Sequence, residues 1–180
     1  MDIPDWFVDY LKRTGEWVEP KASPRKRRVR KSAPESRKDV LRAFTINPVA
    51  GWLILEGIKD VENRWIAPKV RKGIMAVTFS KIYAKSKYLD DLEWARDFAG
   101  KKVAARIPAY EAFSEMRGKC VGVVDYEIKE STDSIWWEVK EWKPWCVSNP
   151  RWLRKPFAVC GQIGCWTMKP ADAKKLLSQL

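Results

Sequence analysis

The sequence predicts an α+β fold, a small mixed β-barrel with flanking helices that follows a disordered basic N-terminal tail. Three observations carry this. Short apolar runs of strand composition recur from Val40 to Trp166. One long stretch, Tyr83 to Ala99, instead repeats its apolar residues at three- and four-residue spacing, the mark of a helix. Between Pro20 and Lys38 large apolar residues nearly vanish while Lys and Arg crowd together, so too little surface is available to offset the entropy of ordering. The domain plan is a short amphipathic helical segment at 1–19, a disordered basic linker at 20–38, and one folded domain at 39–180.

In the first segment Trp6, Phe7, Tyr10 and Leu11 share one side of a short helix, with Ile3 near its start. A helix this short is not stable alone. It docks on its own domain or in the groove of a protein partner. The linker holds nine Lys or Arg against one Glu between residues 21 and 38, among them Arg25, Lys26, Arg27, Arg28, Arg30 and Lys31. Such a run neutralises phosphates, acts as a nuclear localisation signal in a eukaryotic source, or is a solvated spacer.

The domain opens with a strand at Val40–Ile46. Asn47 as a cap, Pro48 at the first helical position and Gly57 as a left-handed stop then bound a helix from Pro48 to Glu56. Lys59 to Trp65 alternates as an extended segment, and Trp65 to Lys69 is a loop over the site it forms. Gly73–Ser80 is a central strand after a turn at Arg71 and Lys72. The long helix ends at Gly100 and turns Tyr88, Leu89, Leu92, Ala95, Phe98 and Ala99 inward, and Ala109–Met116 is a shorter helical piece. Lys119–Ile128, Ile135–Val139, Trp142–Val147 and Ala158–Trp166 complete the barrel, and Pro170–Leu180 closes it with Leu176 and Leu177 inside.

The formal net charge is +12, from 35 Lys and Arg against 23 Asp and Glu. That balance favours an acidic partner, nucleic acid foremost. The longest apolar runs are far too short to span a membrane, and no apolar signal-peptide core follows Met1. An intracellular protein is expected, cytoplasmic or, in a eukaryote, nuclear. Four cysteines, Cys120, Cys146, Cys160 and Cys165, form no Cys-x-x-Cys pair, and the chain has no histidine. No metal site and no cofactor are expected, the thiols serve as small buried hydrophobes, and no mechanism that needs an imidazole is available.

Lys59, Glu62 and Arg64 leave the first helix together, and a concave rim at that point gathers two cations around a carboxylate. Arg grips phosphate with a two-toothed fork, Lys as a point charge, and Glu62 accepts from a base edge or orients the cations. At such a rim, Lys59→Ala and Arg64→Ala cost binding with little change in melting temperature. The alternative is a solvated ion-pair strip. Trp65, Lys69 and Arg71 flank the rim, and Trp65, Trp136, Trp137, Trp145 and Trp152 lie beside basic residues as candidate stacking platforms for unstacked bases.

Gly57-x-Lys59-x-x-Glu62-x-Arg64 after an apolar helix resembles the signature of the ASCH family in the PUA-like superfamily. A second match follows in Trp145-Cys146-Val147-Ser148-Asn149-Pro150, Pro156-Phe157 and Gly161-Gln162-Ile163-Gly164-Cys165-Trp166, so the resemblance covers roughly residues 40 to 170. It implies a PUA-like barrel that binds nucleic acid, RNA first, and holds a base near Lys59, Glu62, Arg64 and Trp65. Some relatives remove an acyl group from a modified cytidine with the Lys of the motif, a Thr three residues later and a distant Glu. Lys59 matches the first, but Glu62 stands in place of the Thr and cannot form the acyl intermediate in the same way. Other relatives are ribonucleases, which here implies Lys59 or Lys81 stabilising phosphorane charge, with Ser80, Tyr83 or Ser148 nearby. Three readings stand: an RNA-binding domain, an enzyme on nucleic acid, and a protein-interaction module.

Overall fold

A computed structural model describes residues 41–65, 68 and 70–180. The segment at 1–19, the basic linker at 20–38 with Arg25, Lys26, Arg27, Arg28, Arg30 and Lys31, and Lys69 in the Trp65 loop lie outside the described residues.

The described chain runs β1 (Arg42–Ile46), α1 (Pro48–Leu55), β2 (Val61–Arg64), β3 (Lys72–Phe79), α2 (Lys85–Ala99), α3 (Lys101–Ala104), α4 (Tyr110–Ser114), β4 (Lys119–Ile128), β5 (Lys143–Ala158), β6 (Cys165–Thr167) and α5 (Pro170–Leu177). Six strands form one sheet in the order β2-β5-β4-β3-β1-β6. Only the β1–β3 pair is parallel, because α1 and β2 intervene between them as a crossover. The sheet curls into a half-barrel. Phe44 on β1 meets Trp145 on β5 edge to face at 6.3 Å, and Arg64 on the β2 edge donates through Nη2 to the Thr45 carbonyl on β1 at 2.7 Å. Strands near opposite edges therefore face each other across the open side.

Strand alternation gives the sheet two apolar faces. Phe44, Met75, Val77 and Val121 join α1 in one core, while Ala43, Ala76, Cys120, Val123, Leu153 and Phe157 join Ala173 and Leu176 of α5 in another. α1 is apolar all round, as a buried helix must be, with Val49, Trp52, Leu53, Ile54 and Leu55 all buried. Gly51 allows it to sit on β3, since a Cβ there would stand 2.5 Å from Cε1 of Phe79. Gly57 at φ +70° stops the helix, and the amides of Ile58 and Lys59 fold back on the Leu53 carbonyl at 2.9 and 3.0 Å. Asn47 occupies the capping position without a side-chain capping bond, so Pro48 and the parent strand set that end.

Several expectations are corrected. Ile135–Val139 is a loop, not a strand, because Trp136 is driven inward as an anchor. Its Nε1 donates to the Ile58 carbonyl at 2.9 Å, its ring stacks on Phe98 at 5.7 Å, and its carbonyl accepts from Asn63 Nδ2 at 2.8 Å. β5 does not stop at Val147 but runs through Asn149 and Pro150 as one 16-residue strand. It absorbs Pro150 at a bulge, where Ser148 pairs Asp125 and Arg151 pairs Val123. β6 is correspondingly short, and Cys160 lies exposed outside any strand. On α2, Leu89 is exposed while Asp91 is buried, taking Tyr83 Oη at 2.8 Å and Lys87 Nζ at 2.6 Å. On α5 Leu176 is buried and Leu177 is not, and α3 has no counterpart in the sequence pattern. No helix among the described residues is long and apolar enough to cross a membrane.

Candidate functional site

The helix stop at Gly57 delivers Lys59 and Asp60 as irregular chain before β2 begins, so strand alternation does not fix where Lys59 points. Its ammonium turns inward, 3.0 Å from Glu62 Oε2 and bonded to the Val61 carbonyl, with the Trp136 ring 6.0 Å away. Glu62 Oε1 lies 2.9 Å from Nε of Arg64, two residues along the same face of β2. The Nε–H does not aim along that line, so the contact is ionic, and the directed bond of Arg64 is the one to Thr45.

The three predicted side chains thus converge, but on one another. Lys59 is only 3% exposed and Glu62 9%, which is neither a solvated strip nor an open phosphate-gripping rim. Burial by itself raises the Glu62 carboxyl. The Lys59 ammonium and then the Arg64 guanidinium more than offset it and hold the group below the usual carboxylate range. Glu138, bonded by Trp94 Nε1 at 3.1 Å, sits close enough to feel both Lys59 and Glu62. Burial raises its pKa.

Beside this triad lies a cavity of about 210 Å³ lined by Ile54, Gly57, Lys59, Asp60, Val124, Val147, Ser148, Asn149 and Pro150. Its far wall is the β5 bulge. Asn149 sits at φ 47°, a left-handed conformation that asparagine tolerates better than other side chains. Asp125 on β4 fixes it, accepting from Asn149 Nδ2 at 2.8 Å and from Arg151 Nη2 at 3.2 Å. Asp60 ties the near wall to the far one, since its carbonyl accepts the Val147 amide at 2.8 Å. Apolar walls with a few fixed polar groups are the ordinary chemistry of a small-ligand site.

Of the remaining candidates, Ser148 lines the cavity, whereas Glu62, Arg64 and Trp65 do not. Lys81 is exposed against Gly118 at the other end of β3, and Arg71 is exposed and paired with Glu130 at 2.6 Å. Trp65 is 43% exposed and Trp152 37%, so both remain available for stacking. Trp136 and Trp145 are core residues and are not. Sequence reasoning missed Asp60 and Asn149 as wall residues and Asp125 as the group that fixes Asn149. Asn-Pro inside an apolar run is a bulge signal that points to Asn149, but nothing local marks Asp125.

Among the described residues no group of three or more His, Cys, Asp or Glu converges as metal ligands. Comparison with protein-family models and with curated proteins finds no match for the chain.

Proposed function

We propose that residues 41–180 form a nucleic-acid-binding domain of PUA-like, ASCH type, which binds RNA and seats one base in the cavity beside Lys59. The observation that carries this reading is that Gly57–Asp60 and Val147–Pro150 wall a single cavity. These are parts of the two separated segments that resemble ASCH domains. About 210 Å³ is below the roughly 300–1,000 Å³ of drug-sized pockets, and suits one ring system rather than a whole nucleotide. Ile54, Val124, Val147 and Pro150 offer apolar surface to the ring, and Asp60, Ser148 and Asn149 offer polar groups to its edge. The +12 net charge supplies attraction to phosphate.

The Lys59 ammonium is committed to Glu62 and Val61, and no hydrogen bond joins Ser148 to it. With its charge held by these partners, Lys59 is poorly placed to serve a developing phosphorane or acyl centre, which favours binding over the ribonuclease and acyl-hydrolase readings. Anisotropy titration with labelled single-stranded RNA should give an affinity that falls with salt. Ser148→Phe, which fills the exposed cavity mouth, should weaken it at unchanged melting temperature. Salt-dependent wild-type binding that Ser148→Phe leaves intact would remove the cavity from the reading, and RNA turnover lost in Lys59→Met would reinstate the enzyme.

A further inference from the structure

We infer that the outer ridge of β5, from Arg151 to Lys155, is a track for single-stranded nucleic acid that leads away from the cavity. This rests on the nucleic-acid reading above and adds the path of the strand. Pro150 lines the cavity, and the next residues, Arg151, Trp152, Arg154 and Lys155, are all exposed while Leu153 alone turns into the core. The cause is the β4–β5 ladder, in which Trp152 pairs Gly122 and Phe157 pairs Cys120. Residues 153–156 therefore bulge opposite Val121 and lose strict alternation. A bulge that places cations on consecutive outward positions does little for stability.

Charge and ring chemistry select the occupant. Asp125 is balanced by Arg151 and Glu56 by Arg106 at 3.6 Å, whereas the side chains of Arg154 and Lys155 have no acidic partner among the described residues. Lys175 of α5 extends the positive ridge, its ammonium 4.7 Å over the Phe157 ring. In sequence Trp152 lies between Arg151 and Arg154, 37% exposed, with Nε1 tied to Glu56 Oε1 at 3.1 Å and its ring edge-to-face on Phe79. A fixed indole two residues before Arg154 and Lys155 suits stacked bases on a charged backbone. Duplex nucleic acid keeps its bases stacked on each other and cannot use the indole. Arg151 to Phe157 stand opposite only Val123 to Cys120, three steps of ~3.3 Å, so the ridge runs roughly 10 Å, enough for a nucleotide or two beyond the cavity.

The test is anisotropy binding of the full chain to a short fluorescein-labelled single-stranded RNA of mixed sequence, to the matching duplex, and to anionic phospholipid vesicles. The charge reversal R154E/K155E should lower single-strand affinity at least tenfold. It should also flatten the log–log salt slope by about 1.4, or about 0.7 for each of the two phosphates left unneutralised. Trp152→Ala should cost roughly 5- to 150-fold on the single strand and little on the duplex, and Trp152→Phe should retain most of the binding. K72E/K129E, at the far end of the sheet, is the control for net charge. R154Q/K155Q replaces the reversal if that variant melts early. Wild-type binding that R154E/K155E weakens no more than the control overturns the track and leaves the nucleic-acid reading standing. Absence of wild-type binding to either nucleic acid removes both, and equal dependence of vesicle binding on Arg154 and Lys155 also overturns the track.

Discussion

Replacing Glu62 by glutamine keeps the side-chain shape and removes the single negative charge that two cations share. Lys59 would remain 3% exposed with only the more distant Glu138 as a counter-charge. Removing one partner of a buried ion pair costs about 3–5 kcal/mol, mostly through the uncompensated charge left behind. The lower end applies, because an amide still accepts one hydrogen bond and Arg64, with its side chain 21% exposed, keeps its bond to Thr45. A loss of about 3 kcal/mol corresponds to roughly 8–12 °C in melting temperature for a domain of this size. Thermal melts and urea titrations at neutral pH, with an unchanged m value, measure it. The folded pKa of Glu62 lies below its usual 4.5, so the stability it contributes is complete above that value and fades as pH falls through the folded pKa. The gap between wild type and Glu62→Gln should hold from about pH 6 to 8 and narrow below about pH 4. A loss under about 0.5 kcal/mol, or a gap that widens in acid, would refute the buried-triad argument and return the three residues to a solvated strip.

The other expectations are narrower. Gly122→Ala should destabilise by about 1–3 kcal/mol and more than Gly51→Ala, because its Cβ would meet the Arg151 carbonyl at 2.8 Å as well as Leu55 at 2.5 Å; calorimetry on both variants decides. Burial raises the pKa of Asp91 against the pull of Lys87 and Tyr83, so wild-type stability should decline as pH rises through its folded pKa. Asp91→Asn should flatten that part of the curve, and equal slopes in urea titrations across that range would contradict it. Cys160 is exposed, whereas burial pushes the Cys120 thiol up to about 12. Mass spectrometry after brief iodoacetamide treatment should therefore find Cys160 labelled and Cys120 intact until denaturant is added.

Where one local signal dominates, the sequence reveals the fold. Gly57 and Gly100 stop α1 and α2, and the apolar runs of β3 and β4 bracket both strands to within a residue. It fails where tertiary contacts outvote local ones. The expected strand Trp142–Val147 stops short of Asn149-Pro150, yet pairing with β4 on both sides of the bulge carries β5 through it. Ile135–Val139 has strand composition, but the indole and the carbonyl of Trp136 bond Ile58 and Asn63 and hold the segment as a loop beside the β2 edge. For the site, the contiguity of Lys59, Glu62 and Arg64 is legible and their inward direction is not, because Lys59 precedes the strand whose alternation would have oriented it. The cavity walls from β4 and β5 depend on sheet order, which no local pattern encodes.

The place of β1 between β3 and β6 has a consequence for how the chain is made. Thr45 on β1 receives Trp166 Nε1 across a sequence separation of 121 residues, and Phe44 pairs Cys165 over the same span. At a synthesis rate of about 5–20 residues per second, β1 waits roughly 6–24 s before β6 exists. Its early partner is β3, in the parallel pairing that forms slowly. Through that interval the outer side of β1 is an uncovered strand edge, open to other nascent chains. Closure by β6 covers that edge only once residue 165 has been made, and chains stalled before it should be the ones that chaperones hold and proteases trim.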